Sequence, residues 1–382
     1  MLWFLSCFSV EESHNEERFQ SRPSYMRTKE PVSVPDGLSD ISAKSCGACH
    51  ETVYAQWRKS THAHAWLEDP QFQAELKKER EGGGDVQWMC LNCHTPLSEQ
   101  QPKRVVGIKD KFDQPIYEEN PNYIPGLELE AVGCAACHLQ GNEIIGTKTI
   151  EDGPHKVRKE PTFGTPQFCN QCHQANAVFP EINLGCFFNT GKEHAQGPFA
   201  EQPCQSCHMP EVDGVRAHYF GGSLIPKQPQ YAADIEEMST HYRHGLTVQL
   251  ASISWGKEAS ASIVYQNRYA GHMLPSGDPE RFIEISMEIL SEAGVTIAKE
   301  EVWIGSKYQW WPKIQLEMDN RLHPQEERTM SVSWLPKDEV YTLVVRAVKG
   351  RISEENLQYH NLEGLVVPSV EFFVLRETLT PF

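Results

Sequence analysis

A largely irregular domain of short helices, too poor in apolar residues to fill its own core, followed by an all-β immunoglobulin-like sandwich, is the architecture this sequence predicts. Three observations carry it. The pattern Cys-x-x-Cys-His occurs five times, at Cys46–His50, Cys90–His94, Cys134–His138, Cys169–His173 and Cys204–His208. Residues of the AVILMFWYC set make up only 39% of the 382 residues, low for a globular protein. After His244 the chain changes to short runs of alternating apolar and polar residues and contains no cysteine.

The repeated motif needs a chemical cause, because 12 Cys and 16 His scattered at random would give far fewer than one copy. Two thiols one helical turn apart can reach the two vinyl groups on one edge of a porphyrin. The residue that follows then lies under the ring, where its imidazole can bind iron. This is the spacing of c-type haem attachment. The thioether cysteines are then Cys46, Cys49, Cys90, Cys93, Cys134, Cys137, Cys169, Cys172, Cys204 and Cys207, with His50, His94, His138, His173 and His208 as proximal iron ligands. Five covalent haem c groups would supply the missing apolar volume, giving a multihaem domain. Zinc ribbons also use Cys-x-x-Cys pairs, but zinc gives no reason for a His after every second Cys, and five pairs do not share out evenly. A thioredoxin-like redox motif would need a βαβ context that is missing here. Outside the motifs, Cys186 reads as a small buried hydrophobe.

Three segments follow in order. Residues 1–40 read as a signal remnant and tether, polar and Pro-interrupted beyond the first few positions. The start, Met1 to Cys7, has no basic n-region and too short an apolar run for a signal peptide. A small residue then Cys after apolar residues looks like the end of a lipoprotein signal, which would make Cys7 a lipid anchor; mass spectrometry of the mature N-terminus checks this. Residues 41–245 form the pentahaem domain, with motif starts 44, 44, 35 and 35 residues apart. Within it Asp69-Pro70 to Glu81 reads as a helix stopped by Gly82-Gly83-Gly84, and most of the remainder as loop. Residues 246–382 form the β domain. Ile283, Ile285, Met287 and Ile289 alternate with Glu284, Ser286 and Glu288, and end at the turn Ser291–Gly294. Met330/Val332/Trp334, Tyr341/Leu343/Val345/Ala347, Leu246/Val248/Leu250, Ile263/Tyr265 and Val370/Phe372/Val374 repeat the pattern, as an antiparallel sandwich requires. No stretch approaches 18 apolar residues, so any membrane attachment would run through Cys7 alone.

The formal charge of −17 argues against nucleic acid and anionic membrane as partners. It favours redox partner proteins with a basic docking face, in salt-sensitive complexes.

Several stretches resemble the multihaem cytochromes related to cytochrome c-554. Ser45-Cys46-Gly47-Ala48-Cys49-His50 followed by Trp57-Arg58-Lys59-Ser60-Thr61-His62 is similar to that family's haem motif and Trp-x-x-Ser-x-His sequence. Cys90 to Leu97, Val132-Gly133-Cys134, Phe168 to Gln174, Cys204 to Pro210 and His218-Tyr219-Phe220-Gly221-Gly222 resemble its five-motif relatives. In the β region Gly271-His272-Met273-Leu274-Pro275-Ser276-Gly277 resembles a stretch of their C-terminal domains. The resemblance implies electron carriage, mostly through bis-histidine haems, and in a few members reduction of small nitrogen compounds at an open haem. It also implies export, because haem is attached to this class outside the cytoplasm, in the periplasm or at the cell surface. The chain departs from cytochrome c-554 in its fifth motif and its β domain, so that protein's redox role does not transfer.

Eleven histidines remain for five distal positions. His62 and His218 lead, from their motif contexts; His155, His194 and His272 complete the set. His64, His241 and His244 are reserves, and Met89 and Met209 read as packing residues. The sequence therefore favours an electron-transfer protein with five closely spaced haems, open to assembly as a homo-oligomer or filament. The competing reading is a reductase or oxidase of a small nitrogen or sulfur compound at one open haem. A third reading takes Trp303, Tyr308, Trp310 and Trp311 as a sugar-stacking face rather than core.

Overall fold

A computed structural model describes Met26, residues 30–212 and residues 214–381. Cys7 and most of the expected tether lie outside the described residues. Within 30–40 no regular element forms, yet Val32 N–H donates to Glu99 Oε1 at 2.8 Å and Ser33 N–H to the Gly141 carbonyl at 3.0 Å.

Up to residue 245 the chain forms short helices linked by turns and small hairpins. The helices are α1 (Ala43–Gly47), α2 (Glu51–Arg58), α3 (Pro70–Glu81), α4 (Gln87–His94), α5 (Cys134–His138), α6 (Pro166–His173), α7 (Thr190–Ala195), α8 (Gln205–His208) and α9 (Ala232–Ser239). Each motif sits on or beside such a helix because one turn brings both its thiols to the same side. Ser42 caps α1 by accepting from Ser45 N–H at 3.1 Å, and Glu130 clamps the Ala43 N–H at 2.7–2.9 Å. Helix α3 has Asp69 as its cap, Pro70 in its first turn and Gly83 with φ +84° just beyond its end. Where the sequence predicts loop, short strands pair instead. They are β1 (Lys103–Ile108) with β2 (Pro115–Glu119), β3 (Leu139–Gln140) with β4 (Glu143–Gly146) and β5 (Arg158–Lys159), β6 (Ala175–Phe179) with β7 (Leu184–Phe188), and β8 (Glu211–Val212) with β9 (Val215–Arg216). In the first hairpin Arg104–Glu118 and Lys103–Glu119 ion pairs face each other across the ladder, and a register shift between Val105 and Gly107 breaks the apolar alternation.

Beyond His244 the chain folds into two antiparallel sheets. One has three strands, β10 (Leu246–Ser254), β11 (Ala259–Asn267) and β15 (Glu327–Trp334), with β11 central. The other has five, in the order β14 (Gln315–Asp319), β13 (Thr296–Gln309), β12 (Phe282–Leu290), β16 (Tyr341–Gly350) and β17 (Ser369–Leu379), with helix α10 (Glu354–Tyr359) between the last two in sequence. Alternate residues of both sheets share one core. Ala261 and Ile263 on the first sheet and Ile285, Met287, Ile289 and Leu343 on the second are all fully buried. The apolar clusters of residues 26–245 are much smaller, the largest joining Trp88, Ile108, Phe112 and a few neighbours. Among the described residues no helix is long and apolar enough to cross a membrane.

Candidate haem centres

Four of the five motif histidines face a second histidine ring. The ring centroids are 6.1 Å apart for His50 and His155, 6.2 Å for His173 and His62, 6.3 Å for His138 and His218, and 6.3 Å for His208 and His272. An imidazole nitrogen binds a metal at about 2 Å and lies about 1 Å from its ring centre, so two rings sharing one metal have centroids about 6 Å apart. Direct ring stacking would bring them to about 4–5 Å. The spacing fits a metal between each pair.

Hydrogen bonding orients the rings to the same end. Nδ1 donates to the Ile145 carbonyl from His138 (3.1 Å), to Gly221 from His208 (2.6 Å), to Arg216 from His218 (2.8 Å) and to Met273 from His272 (2.8 Å). A carbonyl only accepts, so the proton sits on Nδ1 and the Nε2 lone pair is left for a metal. Burial holds His62 down to about 3 and His94 to about 4, which keeps both rings neutral, the form that ligates. Among the described residues no three His, Cys, Asp or Glu side chains converge as a metal site of their own. A pair of thiols beside a carbonyl-anchored imidazole is the donor set that a c-type haem takes.

Local structure explains how distant segments meet. His62 arrives because Trp57 Nε1 donates to the Val132 carbonyl at 2.9 Å and Val132 N–H donates back to the His62 carbonyl at 3.2 Å. His272 comes from the β region on a loop pinned to α7, where Ser276 Oγ donates to Glu193 at 2.6 Å and Arg321 reaches the same carboxylate at 2.8 Å. At its neighbour Gly271 a Cβ would stand 3.0 Å from the His194 ring and 3.3 Å from Phe199 Cβ, so any larger residue would crowd the loop. Gly221, whose carbonyl holds His208, packs on the Tyr242 ring so closely that a Cβ would lie 2.5 Å from it.

His194 faces no motif histidine. It packs on Gly271 and bonds the Phe199 backbone, and the ring opposite His208 belongs to His272. His64 pairs through Nδ1 with Glu68, and its Nε2 is enclosed by protein without a partner. His241 stacks on Tyr219, and His244 packs beside Phe372.

His94 differs from the other motif histidines. Its Nδ1 donates to the Ala65 carbonyl at 2.5 Å and Phe72 of α3 stacks flat on its ring at 3.8 Å, but among the described residues no histidine ring faces it. Beside it lies a buried charged cluster. Asp69 accepts from Lys227 and, at 3.0 Å, from Arg351 of the β region, and Arg351 also holds Gln71 at 2.9 Å. Burial alone would raise the Asp69 pKa, but Lys227 and Arg351 outweigh it and hold it at about 2. Neither this cluster nor Phe72 carries a motif that would have revealed it in the sequence.

The centres also touch one another. The Cys46 and Cys134 thiols hydrogen-bond, as do Cys169 and Cys204; in each contact the bond pushes the accepting thiol, Cys46 or Cys204, down and its partner up. Phe220 lies between His62 (4.6 Å) and His218 (5.6 Å).

Residues 45–139 match the family model for cytochrome c554 and c-prime. The crystal structure of a penta-heme cytochrome c552 from Thermochromatium tepidum superposes with a TM-score of 0.67 at 17% identity, covering 89% of this chain and 99% of that one. Residues 45–139 thus carry the pattern of that family, and the chain has the fold of a multihaem c-type cytochrome. Haem c is thus the cofactor of this cytochrome. About a third of the chain also aligns with a glycosyl hydrolase family 2 member from Bacteroides cellulosilyticus (12% identity, 34% of this chain, 14% of that one, TM-score 0.17) and a Bacteroides uniformis β-glucuronidase (13%, 36%, 13%, 0.19). At such TM-scores nothing follows from either. No curated protein matches the cytochrome's sequence.

Proposed function

We propose that this cytochrome binds five haems and relays electrons through them, outside the cytoplasm, to a protein or extracellular acceptor. The four facing histidine pairs carry this reading, because a bis-histidine iron is saturated and exchanges electrons without making bonds. The contacts between centres support a path. The Cys46–Cys134 contact joins the first and third haems, Phe220 bridges the third and fourth, and Cys169–Cys204 joins the fourth and fifth. The β region, read as an immunoglobulin-like module of residues 246–382, supplies His272 and leaves its outer face for docking. Partners with a basic face suit the charge of −17. Pyridine haemochrome assay with peptide mass spectrometry tests the reading: five haems per chain, one on each cysteine pair, are expected, and fewer would overturn it.

A second reading, reduction or oxidation of a small molecule at one open haem, is favoured by His94 alone. Low-temperature EPR separates the two. A stoichiometric high-spin ferric signal favours the enzyme, and five low-spin haems favour the carrier.

A further inference from the structure

Helix α3 stands between the β region and the second motif, and its two faces meet different neighbours. Residues three and four apart share one face of a helix. Gln71, Ala74 and Lys78 are spaced in this way and meet the β region. Gln71 accepts from Arg351 Nε at 2.9 Å, Ala74 packs on Ile352, Leu357 and Leu362, and the Lys78 ammonium lies 4.8 Å from the Tyr359 ring centre. Arg351 also donates through Nη2 to Asp69 Oδ1 at 3.0 Å, and Asp69 caps the helix by accepting from the Phe72 N–H at 3.5 Å. Arg351, Asp69 and Gln71 are each only 4% exposed, so water has little access to these bonds.

Phe72 serves the other side. Its ring lies on that of His94 at 3.8 Å with the planes 5° apart, and it meets Trp66 edge-on at 5.8 Å. The Trp66 carbonyl in turn accepts from the Asp69 N–H and the Gln73 side-chain amide, each at 3.2 Å. Next to Trp66 in sequence is Ala65, whose carbonyl accepts from His94 Nδ1. The two groups that fix the His94 ring are thus tied to the first turn of α3, and Arg351 holds that turn. We infer that Arg351 of the β region is a positioning residue for the haem carried on Cys90 and Cys93. Through α3 it sets the orientation of the His94 imidazole and the strength of its Nδ1 hydrogen bond, and so that haem's potential. This rests on the five-haem reading. A firm Nδ1 bond makes the imidazole a stronger donor to iron and favours the oxidised haem, whereas a slack one favours the reduced haem.

Holoprotein variants that leave the charge unchanged test it. In Arg351→Lys the ammonium can meet Asp69 but cannot fork to Gln71 as well. Gln71→Ala removes the same bond from its other end, and Phe72→Leu removes the flat ring. In spectroelectrochemical titration each should raise the same single midpoint, about threefold towards the reduced haem or about 28 mV, and shift one EPR signal while the other four haems stay in place. Arg351→Lys combined with Phe72→Leu should move that midpoint no further than the larger single shift, because both act on one ring. A lower melting temperature with every midpoint and signal in place, additive shifts in the double variant, or shifts spread over several haems each overturn the inference. Mass spectrometry of the wild-type Cys90–Cys93 peptide separates the failures: without haem there the five-haem reading falls as well, whereas with haem there and midpoints unmoved only the positioning role falls.

Discussion

His208, in the fifth motif, faces His272 of the β region with ring centroids 6.3 Å apart and planes within 14° of parallel. The two residues are 64 positions apart, and the second belongs to the part of the chain with no cysteine. A metal held between these two rings would be enclosed only when the β region docks. Replacing His272 by Ala should turn one haem from low-spin to high-spin in the EPR spectrum, and His272→Met should raise one midpoint instead. An unchanged spectrum in both variants would mean that this imidazole does not reach the iron.

Gly221→Ala should disturb the same centre from its other side. The new methyl would meet the Tyr242 ring, and the Gly221 carbonyl that orients His208 would have to move. A stability loss of about 1–3 kcal/mol is expected from overpacking, with a shifted low-spin signal for one haem. Adding Tyr242→Ala should relieve both effects.

Acid should loosen the junction between the two regions. The folded pKa of Asp69, about 2, lies below the usual carboxylate value, so its contribution to stability is complete above about pH 4 and is lost as pH falls through 2. The shift is worth on the order of 2 kcal/mol. Asp69→Asn should cost more, about 3–5 kcal/mol, because Lys227 and Arg351 would keep buried charges with no anion between them. Thermal melts of variant and wild type from pH 2 to 7 measure both.

Haem removal should divide the molecule. Residues 246–382 own a continuous apolar core, whereas the haem-bearing part has only small clusters. Protein matured without haem should keep the β-sheet circular dichroism and lose cooperative structure before residue 246. In that β core Ile285, fully buried, should cost about 2–5 kcal/mol on change to Ala, read as a lower melting point of the β transition.

How much of this was legible in the sequence varied with the kind of force involved. Strands β12, β15 and β16 announce themselves because one face is buried and apolar residues alternate along it. Strand β13 does not, since its first six residues are nearly all exposed and its last buried run, Ile304–Ser306, includes Gly305 and Ser306. The hairpin β1–β2 was hidden for a related reason: ion pairs and a bulge stand where apolar alternation was sought. Helix α3 was plain, from Asp69 and Pro70 at one end and the glycines at the other. Motif cysteines and histidines are covalent chemistry and read directly. Which histidine meets which motif is a matter of long-range packing; His155, which follows the third motif in sequence, lies opposite His50 of the first. The charged cluster on Asp69 joins residues some 280 positions apart and leaves no local trace.

The Cys46–Cys134 and Cys169–Cys204 contacts tie four of the motifs into two couples. A porphyrin carried by one member of a couple would be walled in part by its mate, so cofactor loss at either motif should unsettle both.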